Sequence, residues 1–192
     1  MTKNRMEAFS DGVLAIVITI MVLELKVPHG GNWSDIQTLI PIFLSYILSF
    51  VYIGIYWNNH HHMLHTVHHV SGRILWANLH LLFWLSLIPF TTGWLGENQF
   101  GQNPAILYGI NLLTCAFAYE LLQAAIIKDH GTESTLKKAV GSDWKGKLSP
   151  ILYVAGILLC FVNQWIGMAL YVAVAVIWFI PDKRIEKTLD PA

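Results

Sequence analysis

Four stretches of this 192-residue chain are apolar for about twenty residues or more, roughly 5–27, 35–57, 74–95 and 103–127. That is the length an α-helix needs to cross the hydrocarbon core of a bilayer. Hydrocarbon offers no water to backbone amides, so each such stretch must close its own hydrogen bonds as a helix. Residues 148–181 form a longer apolar tract interrupted by Asn163-Gln164. One helix of that length would overshoot the membrane. The pattern predicts two short helices instead, about 148–163 and 165–181, with Ser149 as N-cap and Pro150 as first helical residue. The second span is expected to run on out of the membrane as a His-rich helix, giving about 35–70 in all. The expected fold is an all-α integral membrane protein with six transmembrane helices in one domain, residues 1–192. Composition agrees: 55% of residues are hydrophobic and 12% charged, where a soluble domain carries about 25% charged residues.

Six spans put both termini on one side. Of the twelve Lys and Arg residues, eleven then fall on that side, with Lys26 alone opposite. This positive-inside bias makes the termini cytoplasmic in a cell (inner or plasma) membrane, with the lipid bilayer as the obligatory partner. The formal net charge is zero, so no nucleic-acid partner is expected. Cys115 and Cys160 both lie in apolar runs and read as small core residues. Residues 128–147 are polar, with Leu136, Val140 and Trp144 at near-helical spacing, and read as an amphipathic segment on the membrane surface.

The first span opens on Arg5, Glu7, Ser10 and Asp11. Charged groups at the mouth of a membrane helix are costly unless they face protein or water, so they mark a functional site. Past them, Phe9, Gly12, Ile16, Ile20, Leu23 and Val27 share one helical stripe, with Thr19 at its edge. Two readings of the stripe stand open: packing against neighbouring helices or lipid, or one wall of a pore with a hydrophobic constriction. The pore reading requires an oligomer, most simply a closed cyclic one, because one subunit holds too few helices to enclose a path. Asp11 lies off the stripe. It is better placed to bind helices of its own subunit, and Asn58–His62, Arg73, Trp76, Asn78 and His80 occur at similar depth.

Arg5-x3-Phe9-Ser10-Asp11 at the start of the first span resembles the Arg-x3-Phe-Ser-Asp signature of the transmembrane protein 175 family of potassium channels. Trp57-Asn58-Asn59-His60-His61 is similar to the end of that family's second helix, and Leu75-Trp76-Ala77-Asn78-Leu79 to its third. The resemblance implies six helices per repeat, no re-entrant filter loop, and a homotetramer for a chain with one repeat. It implies that the first helix of each subunit lines the pore. The bottleneck would fall on Ile16, further aliphatic layers on Ile20 and Leu23, and a selectivity hydroxyl on Thr19. It also implies that Arg5, Phe9, Ser10 and Asp11 clamp the helix, with Trp57, His60, His61, Trp76 and Asn78 as partners. The permeant ion would be K⁺ and other monovalent cations, and no cofactor is expected.

His61, His65 and His69 have the i,i+4 spacing of a transition-metal chelate, but no Cys or carboxylate joins them, and solvated or packing histidines are the favoured reading. With His68 they could also titrate near neutral pH. Glu24 and Asp35 could enrich cations at an outer vestibule. Glu120 is given no role in conduction. No nucleophile with paired charges, phosphate loop or His-Glu-x-x-His is present, so no enzyme is expected. The rival function is a proton-coupled or proton-conducting transporter.

Overall fold

The computed structural model describes residues 2–131, 134–141 and 143–179. All regular structure among them is helical: α1 (Lys3–Leu23), α2 (Trp33–Gln37), α3 (Ile40–His65), α4 (Gly72–Ser86), α5 (Ile88–Glu97), α6 (Gln102–His130), α7 (Thr135–Val140), α8 (Trp144–Cys160) and α9 (Gln164–Phe179). Four stretches are long and apolar enough to cross a membrane: α1, α3, α4 with α5, and α6. Helices α8 and α9, of 17 and 16 residues, reach about 24–26 Å at 1.5 Å per residue.

The long helix α6 sits at the centre, packed on α4, α5, α8 and α9. Small residues let its neighbours close in, with Ala105, Gly109, Cys115 and Ala118 all buried. Helix α3 packs on α5, α1 and α9. At the other edge α1 lies on α3, α4 and α5. Its packed face is Met6, Ser10, Leu14, Val17 and Met21, an i, i+4, i+8, i+11, i+15 ladder on one side of the helix. The two cysteines are unpaired and buried.

Several helix ends differ from the expected ones, each for a local reason. Helix α1 stops at Leu23 rather than 27, because Pro28 disfavours α geometry at Val27. Val27 therefore leaves the stripe. Helix α3 ends at His65 rather than 70; the Thr66 hydroxyl donates to the Met63 carbonyl at 2.7 Å, and Ser71 caps α4 by accepting from the Ile74 amide. Helix α8 starts at Trp144, not at Pro150. Asp143 is its N-cap, accepting from the Gly146 amide at 3.2 Å. Pro150 sits inside it. The Ser149 hydroxyl is no cap; it donates to the Lys145 carbonyl and accepts from Trp178 Nε1. The expected end of the last span at 181, and Lys183, Arg184 and Lys187, lie outside the described residues.

The third apolar stretch is two helices broken at Leu87. Pro89 has no N–H to return to the preceding turn and its ring crowds that turn, and the adjacent bond between the Ile88 N–H and the Trp84 carbonyl is open. With its amide oriented to satisfy both ends, Asn111 of α6 fills that gap: Nδ2 donates to the Trp84 carbonyl and Oδ1 accepts from the Ile88 N–H.

Helices α8 and α9 form a hairpin around glycine. A Cβ on Gly167 would lie 2.2 Å from Cys160 Sγ and 2.6 Å from the Gly156 carbonyl oxygen. The second contact is backbone and cannot rotate away. Gly167→Ala is therefore expected to lower the thermal midpoint in detergent, by about 1–3 kcal/mol of stability. Gly54→Ala, where a Cβ meets nothing within 4 Å, is not; equal melting curves for both variants would show that the hairpin has slack.

Candidate ion-path helix and its polar anchor

The buried face of α1 carries one polar residue deep in the bundle. Ser10 has no solvent exposure, and its hydroxyl donates to the Met6 carbonyl at 2.9 Å. The same oxygen accepts from Asn78 Nδ2 of α4 at 2.9 Å. Asn78 Oδ1 in turn meets His60 Nε2 of α3 at 2.7 Å. The amide oxygen only accepts, so His60 carries its proton on Nε2. Asn78 and His60 are both buried. Three helices are thus tied by one chain of bonds, Met6–Ser10–Asn78–His60.

A second tie lies one residue on. Trp57 Nε1 of α3 donates to Asp11 Oδ1 at 3.0 Å at a more exposed position. The Trp57 ring stacks on His61, at 6.2 Å between centroids, and His61 lies 4.5 Å from His65. Lys3 Nζ donates to the His65 carbonyl at 3.1 Å. This places the start of α1 at the end of α3.

Of the residues expected to act as a clamp, Ser10, Asp11, Trp57, His60 and Asn78 come together. Arg5, Phe9 and Trp76 do not join them: all three are exposed, Trp76 at 75%. His61 touches the group only through the Trp57 ring. Other polar residues at this depth serve elsewhere. Asn59 donates to the Ile55 carbonyl, and its own carbonyl accepts from Tyr119 of α6. His80 accepts from Trp84 on its own helix, and Arg73 pairs with Asp129 of α6 at 2.8 Å. Lys3 and the Met6 carbonyl are contributors that no motif signalled. Nothing in a sequence marks which helix carbonyl accepts a serine hydroxyl.

The opposite face of α1 is uncovered. Ile16, Ile20 and Leu23 are 59%, 43% and 71% exposed. The Thr19 hydroxyl donates to the Ala15 carbonyl at 2.7 Å, which leaves its oxygen lone pairs turned outward. Ile16 and Ile20 line a groove of about 450 Å³ with Val13, Glu24, Ser86 and Phe90. Asp35 is spent on capping α2, accepting from the Asn32 amide at 2.9 Å. Lys26 lies 3.5 Å from Glu97. The three histidines with chelate spacing separate: His61 faces His65, while His69 stacks on His130 at 4.4 Å. Among the described residues, no group of three or more His, Cys, Asp or Glu side chains is placed to hold a metal ion.

An all-α membrane protein with a polar-anchored first helix and an exposed aliphatic row on it is the class these features define. Residues 5–89 match the family model described as endosomal/lysosomal potassium channel TMEM175. The chain is 58% identical, over 98% of each sequence, to a protein of Chryseobacterium sp. (strain P1-3) named as a potassium channel. Its fold superposes with TM-score 0.82 and 29% identity on the crystal structure of a lysosomal potassium-selective channel TMEM175 homolog from Chamaesiphon minutus, covering 94% of this chain and 97% of that one. The endosomal/lysosomal proton channel TMEM175 of Gallus gallus is 28% identical over 69% of this chain and 30% of its own length. The chain belongs to the TMEM175 family, which is a family of ion channels and not of enzymes.

The anchor makes a stability prediction. Asn78→Leu keeps the volume but leaves the buried His60 N–H without an acceptor, and is expected to cost about 1–3 kcal/mol in detergent unfolding. Asp11→Asn keeps an oxygen for Trp57 and is expected to lose less than Asp11→Leu in the same assay.

Proposed function

We propose that this protein is a homotetrameric, six-span, potassium-permeable cation channel of the cell membrane, with both termini cytoplasmic and passive conduction along α1. The observation that carries the reading is the division of α1: one face is fixed to its own subunit through Ser10 and Asp11, and the other presents Ile16, Ile20 and Leu23 uncovered. Potassium conduction is inferred from the Chryseobacterium relative, named as a potassium channel.

In this reading four copies of α1 surround the axis. Rings of Ile16, Ile20 and Leu23 form a narrow aliphatic neck, where dewetting sets the barrier to a hydrated ion. The Thr19 oxygens replace part of the hydration shell of K⁺, because their protons are already committed to Ala15. Glu24, at the far end of the helix from the anchor, adds negative potential that concentrates cations. Helices α8 and α9 complete the six spans, their short length matched by local thinning of the bilayer.

A proton-conducting pathway is the second reading, favoured by the Gallus gallus relative, named as a proton channel. Purified protein in liposomes, assayed for K⁺, Na⁺ and H⁺ flux, decides between them. A passive K⁺ flux that does not saturate supports the channel; H⁺ flux without K⁺ flux, or a flux that needs a proton gradient and saturates with substrate, overturns it. Within the channel reading, Ile16→Asn wets the neck and is expected to raise conductance or loosen K⁺ over Na⁺ preference. If single-channel recordings show neither, Ile16 does not form the neck.

A further inference from the structure

The end of α6 holds a histidine whose two ring nitrogens have opposite duties. His130 Nδ1 lies 3.0 Å from the Ile126 carbonyl oxygen, so it must carry a proton. His130 Nε2 receives the backbone N–H of His68 at 3.0 Å and of His69 at 3.4 Å, so it must be a bare lone pair. Only the neutral ring meets both demands. A proton added at Nε2 would point an N–H at two N–H groups and end both bonds.

We propose that His130 is a proton-operated latch: neutral, it holds the α3–α4 connection on the end of α6; protonated, it lets go. Among the described residues, the charged groups around it are few. From the connection come His68 and His69, whose rings lie 5.9 and 4.4 Å from that of His130; as imidazoliums they would repel a charged His130. From α4 comes Arg73, paired with Asp129. Asp129 and Lys128 flank it on its own helix, and α7, packed on α6, carries Lys137 and Lys138. Asp129 also accepts from the Ser71 hydroxyl, so a second bond runs from the same connection to the same helix end. The α6 carbonyl end favours a positive ring, but does so whether the latch is made or broken. It does not select between the two states. The lost amide bonds do.

The latch touches the anchor of α1 through short covalent links. The connection joins α3, which bears His60, to α4, which bears Asn78. Release frees the His68–His69 segment that follows α3, on the side of the membrane that holds the chain's N-terminus, while Ser71 and Arg73 stay bonded to Asp129. Acidification of that side then loosens the α3 end of the grip on α1. This coupling rests on the channel reading; the latch itself does not.

The test uses the full-length protein labelled with ¹⁵N in detergent or nanodiscs. The His130 ring is expected as the Nδ1–H tautomer at neutral pH. Amide protection of His68 and His69, corrected for intrinsic exchange, is expected to fall about tenfold per pH unit below the pH at which the ring takes up its second proton. His130→Gln, neutral at every pH, should show no such fall, and its K⁺ flux in liposomes should lose any acid response that the wild type has. The Nε2–H tautomer, or protection with the same pH dependence in both proteins, overturns the latch. Should His130→Gln fail to fold, the wild-type tautomer and exchange data decide alone. Absence of K⁺ flux at every pH counts against the channel reading instead, since neither the tautomer nor the exchange depends on conduction.

Discussion

The bonds of Asn78 to Ser10 and His60, with that of Trp57 to Asp11, fix which way α1 faces. In water an amphipathic helix orients by hydrophobicity. In a bilayer that cue is lost, because lipid tails are as apolar as a protein core. Both faces of α1 are aliphatic: Leu14, Val17 and Met21 on the packed side, Ile16, Ile20 and Leu23 on the open one. A rotation of one residue, about 100°, would exchange members of the two sets at little cost in apolar burial. It would also carry the Ser10 hydroxyl out of reach of Asn78 and leave a buried amide short of a partner. Each such bond in a membrane interior contributes on the order of 1 kcal/mol. The direction of the bonds, rather than their strength, is what sets the rotation.

That same physics explains what the sequence could and could not tell. Spans were legible because twenty apolar residues have few other fates. The exposed stripe was legible as a stripe, but periodicity alone left packing and pore readings open, since neither face of α1 is polar. The anchor was legible in part. Ser10 and Asp11 stand out as polar residues at the mouth of an apolar run. Their partners do not: Trp57 and Trp76 are equal candidates in the chain, and only the packing of α3 against α1 puts Trp57 within reach of Asp11. His60 sits among six histidines, and it alone has a bond to Asn78 because it falls on the buried side of α3.

The missed helix ends follow from competition between local signals. Ser149-Pro150 is a good start signal for a helix, yet Asp143 lies upstream and offers a carboxylate to the first free amides. The earlier cap prevails, and Pro150 is carried inside. At Leu87 the sequence shows only Pro89 within an apolar run. What makes the break stable is Asn111, more than twenty residues away on α6, whose amide takes up the freed backbone groups. No local pattern contains that partner.

The break at Leu87 also divides the support of α1 into two parts. Below it, α4 carries Asn78 and holds α1 by hydrogen bonds at its N-terminal end. Above it, α5 carries Pro89 and Phe90, which share the groove of Ile16 and Ile20. One continuous helix would move both contacts as a rigid rod. At Leu87 the backbone stays αR, but the Ile88 N–H turns to Asn111 instead of the Trp84 carbonyl, so the two helices can bend there, with Asn111 holding the joint from α6. The polar grip on α1 and the apolar contact beside its aliphatic row are therefore mechanically distinct. A change at the N-terminal end of α4 loads the first directly and reaches the second only across the joint.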